Sequence, residues 1–390
     1  MHYDLMIVGG GVVGMSLALA LKETSLRIAL IDEKSTYTPD ARLFALSVSS
    51  IHLLENIGLW CDLKKFAEPI HAIHASYQGR FGALCLTRED LSLPTLGYVL
   101  PAYSIEIALQ DALSALSHIT QYPASLKQLR QTTHGVTATI EMSAEKALVL
   151  TAPYLIGADG THSTVREQLN IKTHHIDYEQ LAIVTRTTIK RSHHYIAYER
   201  LNAQGAIAML PLSDRECATI WSTNRCDATT LLALSDKDFL AALQGAFGYR
   251  LGRLQAVGKR TAFPLMHLQA KTNYKDNVLL IGNAAHTLHP IFAQGLNIAF
   301  SEIAAIADSA RDASIDLHAI SKRIQSNINL NLRLSCWLPT WLAKRESTLK
   351  HLSSLGMLGL NNLPYIKTML LSSLLCRTKH VSRLMLSTTT

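Results

Sequence analysis

The stretch Leu5-Met-Ile-Val8, followed directly by Gly9-Gly-Gly-Val-Val-Gly14, decides the fold of this chain. A short continuous apolar run is typical of a parallel strand buried on both faces, and a helical pattern follows the last glycine. In such a turn Gly9 permits a tight bend, Gly11 lets the backbone approach a pyrophosphate, and Gly14 lets helix and strand pack closely. The sequence therefore predicts a strand, a glycine turn and a helix whose N-terminus faces phosphates.

A second apolar run, residues 26–31, follows that helix and ends at Asp32. An acid at this place in a Rossmann-type unit can bond a ribose hydroxyl. The motif thus predicts a dinucleotide site at the start of the chain, and by itself it leaves FAD and NAD open.

Two later segments favour FAD. Residues 154–158 read as a strand that ends in Asp159-Gly160, and residues 277–290 read as a strand and a loop before a helix that opens at 294–297. A helix N-terminus offers free N–H groups and a positive dipole end, which suits the negative charge of a reduced flavin. Simple NAD dehydrogenases need neither segment. The chain contains no second glycine motif of this kind, so a nicotinamide donor would lack a Rossmann domain of its own.

Between these segments the pattern changes to short alternating runs such as 206–210 and 217–221, which indicate a mainly antiparallel sheet. We expect an α/β fold: a Rossmann-type FAD-binding domain, an inserted β-sheet domain that shapes the substrate pocket, and a C-terminal helical region. The predicted FAD-binding domain takes residues 1–68, 101–170 and 271–310, the substrate domain 69–100 and 171–270, and the helical region 311–390.

Composition describes an ordered globular protein of 390 residues, with 48% hydrophobic and 17% charged residues and a mean hydropathy of +0.13. Its six cysteines are scattered without a CxxC pair, which argues against a disulfide scaffold or a cysteine-based zinc site. No metal site is expected. The first residues lack the pattern of a signal peptide, and the sequence therefore predicts a cytoplasmic protein.

The net charge of +7 is concentrated in the tail, because residues 331–390 contain eight Lys or Arg and one acid, and the rest of the chain is balanced. Such a distribution argues against a nucleic-acid partner. Apolar residues fall at helical spacing among these charges, at Ile366, Met369, Leu370 and Leu374, with Lys367, Arg377, Lys379 and Arg383 around them. This pattern fits peripheral contact with the inner face of the cytoplasmic membrane. Packing on the protein's own core or on a partner subunit fits it equally well.

The three cofactor segments together resemble the para-hydroxybenzoate-hydroxylase-like FAD monooxygenases. Within that class the chain is most similar to the ubiquinone-biosynthesis hydroxylases, above all to the 2-polyprenyl-6-methoxyphenol hydroxylases. The resemblance covers roughly residues 3–308, and its other marking stretches are 40–47, 53–54, 57–60, 198–200, 209–214, 246–252, 258–260 and 263–265.

The resemblance assigns the cofactor residues one by one. It places Gly9, Gly11, Gly14 and Asp32 on the ADP half of FAD, Arg42 near the flavin and the phosphates, Asp159 and Gly160 between FAD and the nicotinamide donor, Gly282 and Asn283 at the ribityl chain, and Pro290, Gln294, Gly295, Leu296 and Asn297 against the isoalloxazine. Two positions depart from the family pattern. Asn283 replaces an aspartate, and Ala293 replaces a glycine and would be strained if its φ were positive.

The chemistry implied is that NADH or NADPH reduces the flavin, oxygen adds at C4a, and the hydroperoxide delivers one oxygen atom to the ring of a polyprenylated methoxyphenol in ubiquinone synthesis. The cofactor carries that chemistry. Tyr198 and His289 are the candidate bases that would activate the phenol, with Pro290 beside the flavin. His286, like His289, is otherwise expected to have a structural role or to lie in contact near the flavin.

Two alternatives stay open at this point. One is a related FAD monooxygenase that acts on another aromatic compound, since a fold does not fix a substrate. The other is a non-catalytic FAD-fold subunit that scaffolds a ubiquinone-biosynthesis complex, with Ala293 as a sign of decay.

Overall fold

The computed structural model of the protein describes residues 1–33, 42–133, 135–142, 147–290, 293–312, 315–327, 363, 367–369, 371–372, 375 and 381–387. Within these ranges the strands are β1 (Leu5–Val8), β2 (Ile28–Asp32), β3 (Leu43–Ser47), β4 (Glu68–Ile70), β5 (Ala72–Tyr77), β6 (Ala83–Thr87), β7 (Gly97–Pro101), β8 (Ile119–Thr132), β9 (Gly135–Met142), β10 (Ala147–Ala152), β11 (Tyr154–Gly157), β12 (Thr173–Ile189), β13 (Ile196–Leu201), β14 (Ala206–Ser213), β15 (Glu216–Asn224), β16 (Leu254–Val257), β17 (Thr261–Ala270), β18 (Tyr274–Lys275), β19 (Val278–Leu280) and β20 (His286–Thr287). The helices are α1 (Val12–Ala20), α2 (Val48–Asn56), α3 (Trp60–Leu63), α4 (Ala102–Ser114), α5 (Thr164–Gln168), α6 (Arg225–Ala233), α7 (Asp236–Phe247) and α8 (Gln294–Arg311). Short 3-10 helices occur at Lys64–Phe66, Arg88–Leu91, Gly282–Ala284 and Arg383–Met385.

An eight-stranded sheet with the order β10-β9-β8-β2-β1-β11-β19-β18 carries the N-terminal motif. Its centre, from β8 to β19, is parallel, and every residue of β1 is buried, as expected for a strand covered on both faces. Helices α1, α4 and α8 pack together on this sheet. The predicted Rossmann-type architecture is confirmed.

A nine-stranded sheet, β20-β17-β12-β15-β14-β13-β5-β6 with β16 beside β12, forms the second layer of the molecule. Its pairs are antiparallel except that of β13 with β5, so the mainly antiparallel prediction is confirmed. A small sheet, β3-β7-β4, joins the layers, because it pairs a strand of the predicted FAD domain with one from the 69–100 segment.

The nine-stranded sheet has two different faces. We call outer the face on which Ile183, Ile207 and Trp221 pack against α7, with the Trp221 ring 5.7 Å from that of Phe239. We call inner the opposite face, on which Ala197, Leu210 and Ala218 pack against Ile70 and Val99 of the small sheet. Strand alternation assigns every other residue to one face or the other.

The C-terminal region packs on both layers. Residues 317–327 are helical, and three of their apolar side chains, Leu317, Ile320 and Ile324, are buried in the core of the first layer. Farther on, Leu371 and Leu375 are buried with the inner face, and Met369 is 50% exposed. Other members of the predicted amphipathic pattern, Ile366, Leu370, Leu374, Arg377 and Lys379, lie outside the described residues. Among the helices in the described ranges, none is long and apolar enough to cross a bilayer.

Candidate active site

The three predicted cofactor segments follow three adjacent parallel strands. Val8 at the end of β1 lies beside Gly157 of β11, and Gly157 lies beside Leu280 of β19. The segments that begin at Gly9, Asp159 and Gly282 therefore leave the sheet at the same edge. Ligands of parallel sheets bind at the carboxyl ends of the strands.

Three glycines of the turn, Gly9, Gly11 and Gly14, have different roles. Gly9 has a φ of +106°, and its N–H donates to the carbonyl of Ile31 at 2.7 Å. A Cβ on Gly14 would lie 1.8 Å from the Gly9 carbonyl oxygen, whereas a Cβ on Gly11 would meet no described atom within 4 Å. The fold itself thus requires Gly9 and Gly14. Gly11 caps α1 without a side chain and leaves room for a phosphate at its N-terminus.

Two side chains flank this turn. Asp32 ends β2 and lies against the backbone, since a Cβ on Gly10 would be 2.7 Å from the Asp32 Cβ. Arg42 precedes β3 and forms an ion pair with the buried Glu106, with 3.3 Å between Nη2 and Oε1. The Arg42 side chain is 48% exposed, so part of its surface is accessible from solvent.

Asp159 organises the second segment. It accepts hydrogen bonds from the Ser163 hydroxyl at 2.5 Å and from the Val165 N–H at 3.0 Å, so it holds the first turn of α5. Burial raises the pKa of Asp159 above its usual value, although these two hydrogen bonds act in the opposite direction. Gly160 follows with a φ of +81°, and a Cβ there would meet no described atom within 4 Å.

Arg166 connects the second segment to the third. Its guanidinium donates to the carbonyl of Thr161 at 2.8 Å and to that of Ala284 at 2.9 Å. The neighbouring Asn283 is exposed, so its side chain is available to a ligand at this edge.

A buried Glu302 holds the third segment from behind. Its carboxylate accepts from the Gly282 N–H at 2.7 Å and pairs with His286 Nε2 at 2.9 Å, and its side chain is 0% exposed. Burial alone would lower the pKa of His286, but the charge of Glu302 and the hydrogen bond to it raise that pKa above its usual value. Sequence reasoning missed Glu302. Its signal is an acid on the α8 face that also carries Ile298 and Ile306.

Asn297 fixes the start of α8. Its Oδ1 accepts from the Ser47 N–H at 2.8 Å and from the Ser50 hydroxyl at 2.7 Å, and its Nδ2 donates to the carbonyls of Ala45 and Ala293. Ala293 has a φ of +50°, so the strain expected at this missing glycine is present. The side chain of Asn297 therefore has a structural role, and any contact with a ligand would be made by its backbone.

The first turn of α8 presents the other residues predicted to lie against the flavin ring. The N–H groups of the first helical residues have no partner within a helix, and here they belong to Gln294, Gly295 and Leu296. A Cβ on Gly295 would meet no described atom within 4 Å, and Gln294 is 4% exposed. This turn can therefore receive an anionic group against a positive dipole end.

The candidate base His289 lies at the other end of this loop. It is 2% exposed, its Nε2 is 3.3 Å from Gln180 Oε1, and its ring lies edge-on to Tyr178 at 5.2 Å. Burial lowers the pKa of His289 to about 4, which makes its neutral ring a poor proton acceptor. Pro290 accepts the Ala293 N–H at 2.9 Å and so shapes the turn before α8.

The other candidate base, Tyr198, belongs to the outer face. It pairs in register with Met209, and its ring lies 6.0 Å from Phe247 at the end of α7 and 5.7 Å from His74. Burial raises the pKa of its phenol. The structure therefore brings His289 and Pro290 to the cofactor edge and places Tyr198 on the opposite side of the sheet.

The chain is similar to known flavoproteins over most of its length. The family model described as FAD binding domain matches residues 2–309. Ubiquinone hydroxylase UbiL of Rhodospirillum rubrum is 34% identical over 313 residues, which cover 78% of this chain and 71% of that protein. The 3-demethoxyubiquinol 3-hydroxylase of Escherichia coli is 28% identical over 78% of each chain.

Among solved structures, p-nitrophenol 4-monooxygenase PnpA from Pseudomonas putida superposes with a TM-score of 0.79 at 16% identity, over 97% of this chain and 100% of that one. This likeness supports the fold. The family match and the sequence identity go further and confirm the resemblance drawn from the cofactor segments: this chain belongs to the FAD binding domain family and, within it, to the FAD-dependent hydroxylases of ubiquinone biosynthesis.

Proposed function

We propose that the enzyme hydroxylates the ring of a polyprenylated methoxyphenol, with NADH or NADPH as the electron donor and molecular oxygen as the second substrate. The observation that carries the substrate class is the inner face of the nine-stranded sheet, which contacts the flavin loop through Gln180 and His289 and bears six alanines among its apolar side chains. These are Ala75, Ala182, Ala197, Ala206, Ala208 and Ala218.

We propose that the aromatic ring and the start of the prenyl chain lie against these small side chains. The outer face, in contrast, is filled by large side chains such as Trp221 and Met209. An apolar wall with few polar groups suits a neutral phenol with a hydrocarbon tail. The names of two relatives, ubiquinone hydroxylase UbiL and 3-demethoxyubiquinol 3-hydroxylase, agree with this chemistry.

The residues present fit FAD. Gly11 leaves space at the N-terminus of α1 for the pyrophosphate, Asn283 is exposed where the ribityl chain would run, and the first turn of α8 offers its N–H groups to the ring. The bound flavin supplies the redox chemistry with oxygen. The chain's own part is to orient the substrate ring, exclude water and handle the phenol proton.

The donor site lies at the same edge. The chain has no second glycine motif for a dinucleotide, so we propose that the nicotinamide approaches the flavin beside Asp159 and Gly160. The open space at Gly160 supports this position. A comparison of NADH and NADPH oxidation rates identifies the donor.

The deciding experiment is an absorption spectrum of the purified protein, followed by NADH or NADPH oxidation with and without a short-chain polyprenyl methoxyphenol. Flavin bands and a substrate-dependent hydroxylated product are expected. Oxidation that yields peroxide and no product with this phenol would favour another aromatic substrate. A colourless protein that takes up no FAD would contradict the proposal and favour the scaffold alternative.

For the tail we propose contact with the inner membrane surface, which would bring the enzyme to its lipid-soluble substrate. The excess of basic residues and the exposed Met369 support it. Leu371 and Leu375 are buried within the protein, so truncation would disturb the core. Met369→Glu is the better variant, and it should reduce flotation with anionic liposomes. Flotation equal to that of the unmodified protein would favour packing on the core or on a partner subunit.

A further inference from the structure

Glu199 is a buried acid that the flavin site leaves without a role. It is 8% exposed, and within the part of the chain that the structure describes its carboxyl group has no hydrogen-bond or ion-pair partner. A carboxyl group buried without a partner is costly to a fold. Its presence on the wall of a predicted pocket therefore suggests a function.

The register places Glu199 on the inner face. A row of paired residues crosses five strands, from β12 to β5: Val184, Ile220, Ala208, Glu199 and Ala75. Paired residues in neighbouring strands share a face. The two residues beside Glu199 are alanines, whose methyl groups are too short to enclose its carboxyl group. The carboxyl group thus projects from an otherwise apolar row.

This inner face adjoins the flavin segments. Gln180 lies on it, four residues before Val184, and contacts His289 of the flavin loop. Ala208, the neighbour of Glu199, packs in one cluster with Ala45, and the Ala45 carbonyl accepts a hydrogen bond from the first turns of α8. Glu199 therefore lies on the face of the sheet that the flavin loop contacts.

We propose that Glu199 binds the aromatic hydroxyl of the substrate and takes its proton before the ring receives the new oxygen atom. The inference rests on the proposed function. The O–H bond of the phenol breaks, its electron pair stays on the phenol oxygen and enriches the ring, and the proton moves to a carboxylate oxygen of Glu199. It returns to water when the hydroxylated product leaves.

The surroundings suit this role. Burial raises the pKa of Glu199 to about 8, closer to that of a phenol than an ordinary carboxyl group, and a base is most effective when its pKa lies near the working pH. No charged side chain contributes to this shift. Apolar residues of other elements pack with this face, among them Val48, Val99, Leu371 and Leu375, and His289 contacts it through Gln180.

The test compares Glu199→Gln with the matched control Glu216→Gln, which lies on β15 of the same sheet and hydrogen-bonds to Ser213. The probe is a short-chain polyprenyl methoxyphenol. In the unmodified enzyme, kcat/KM for hydroxylated product should rise with pH through about 8 as the carboxyl group ionises. Glu199→Gln should lower it about 100-fold and flatten the profile, and Glu216→Gln should keep both.

Ultraviolet titration of the bound phenol gives a second readout that does not depend on turnover. The unmodified protein should bind a fraction of it as phenolate, and Glu199→Gln should bind the neutral form alone. Product formation by Glu199→Gln with the pH profile intact would overturn the inference and leave the proposed function standing. An unmodified enzyme that hydroxylates no phenol would overturn both. If Glu199→Gln does not fold, an unmodified enzyme whose phenol binding is independent of pH overturns the inference.

Discussion

The two ends of the cofactor site are built in different ways. At the ADP end, the glycine turn is made of backbone alone, and its shape depends on the missing side chains of Gly9 and Gly14. At the ring end, Gly282 and Ala293 are held from behind by the buried polar side chains of Glu302 and Asn297. The first end is a local motif, and the second is a set of contacts between distant parts of the chain.

This difference predicts how a substitution at each end should affect the protein. A steric change in the turn removes the packing of α1 on β1, so the whole first layer should lose stability. A polar change behind the ring loosens one loop and leaves the sheet in place. The same difference separates residues that the fold requires from residues that only a ligand requires.

The largest effect is expected from Gly14→Ala. Because the new Cβ would lie 1.8 Å from the Gly9 carbonyl oxygen, α1 cannot keep its distance from the turn, and little folded protein should be recovered. Gly11→Ala is the matched control: its Cβ meets no described atom, so the protein should fold and bind FAD more weakly. Soluble yield and FAD titration measure both. Equal folding of the two variants would contradict the distinction.

Asn297→Ala should have the next largest effect. It removes four hydrogen bonds that join the start of α8 to β3, to α2 and to the residue before α8. At about 1 kcal/mol each, the free energy of unfolding should fall by about 3 to 4 kcal/mol. Asn283→Ala, at an exposed position of the neighbouring segment, should leave stability unchanged and weaken FAD binding. Urea unfolding with and without FAD distinguishes the two.

Glu302→Gln keeps the shape of the side chain and removes its charge. We expect a loss of about 2 kcal/mol where His286 is protonated, since hydrogen bonds to charged groups are worth about that much. The pKa of His286 is raised in the folded protein, so the pair stabilises fully below the unfolded pKa of about 6.5 and less as pH rises through the folded pKa. Stability of the unmodified protein should fall over that range. A Glu302→Gln variant with the same pH dependence would contradict this account.

The sequence predicts the ADP end well because its information is local. The order of strand, glycine turn, helix and Asp32 lies within one short segment, and each residue acts through its own backbone or its immediate neighbours. The sequence also marks Ala293 as strained if its φ is positive, and the φ is +50°.

The ring end could not be predicted to the same depth. Asn297 meets Ser47 across 250 residues of sequence, and no motif specifies such a partner. Because successive side chains of a strand point to opposite faces of the sheet, Tyr198 and Glu199 lie on different faces, but this rule does not say which face is turned toward the flavin. Only the packing of α7 on one face and of the small sheet on the other decides it.

The smallest effect is expected from Ala293→Gly. An alanine at a φ of +50° costs about 1 to 2 kcal/mol relative to a relaxed backbone. Glycine relieves this strain, but it also makes the unfolded chain more flexible, which offsets part of the gain in stability. The net gain should be about 1 kcal/mol, read as a higher urea midpoint. Asn170→Gly is the matched control, because its φ is +53° and asparagine tolerates this region, so it should gain less. A loss of stability in Ala293→Gly would mean that the ring end relies on the alanine, and FAD affinity would then show whether a rigid turn serves the cofactor.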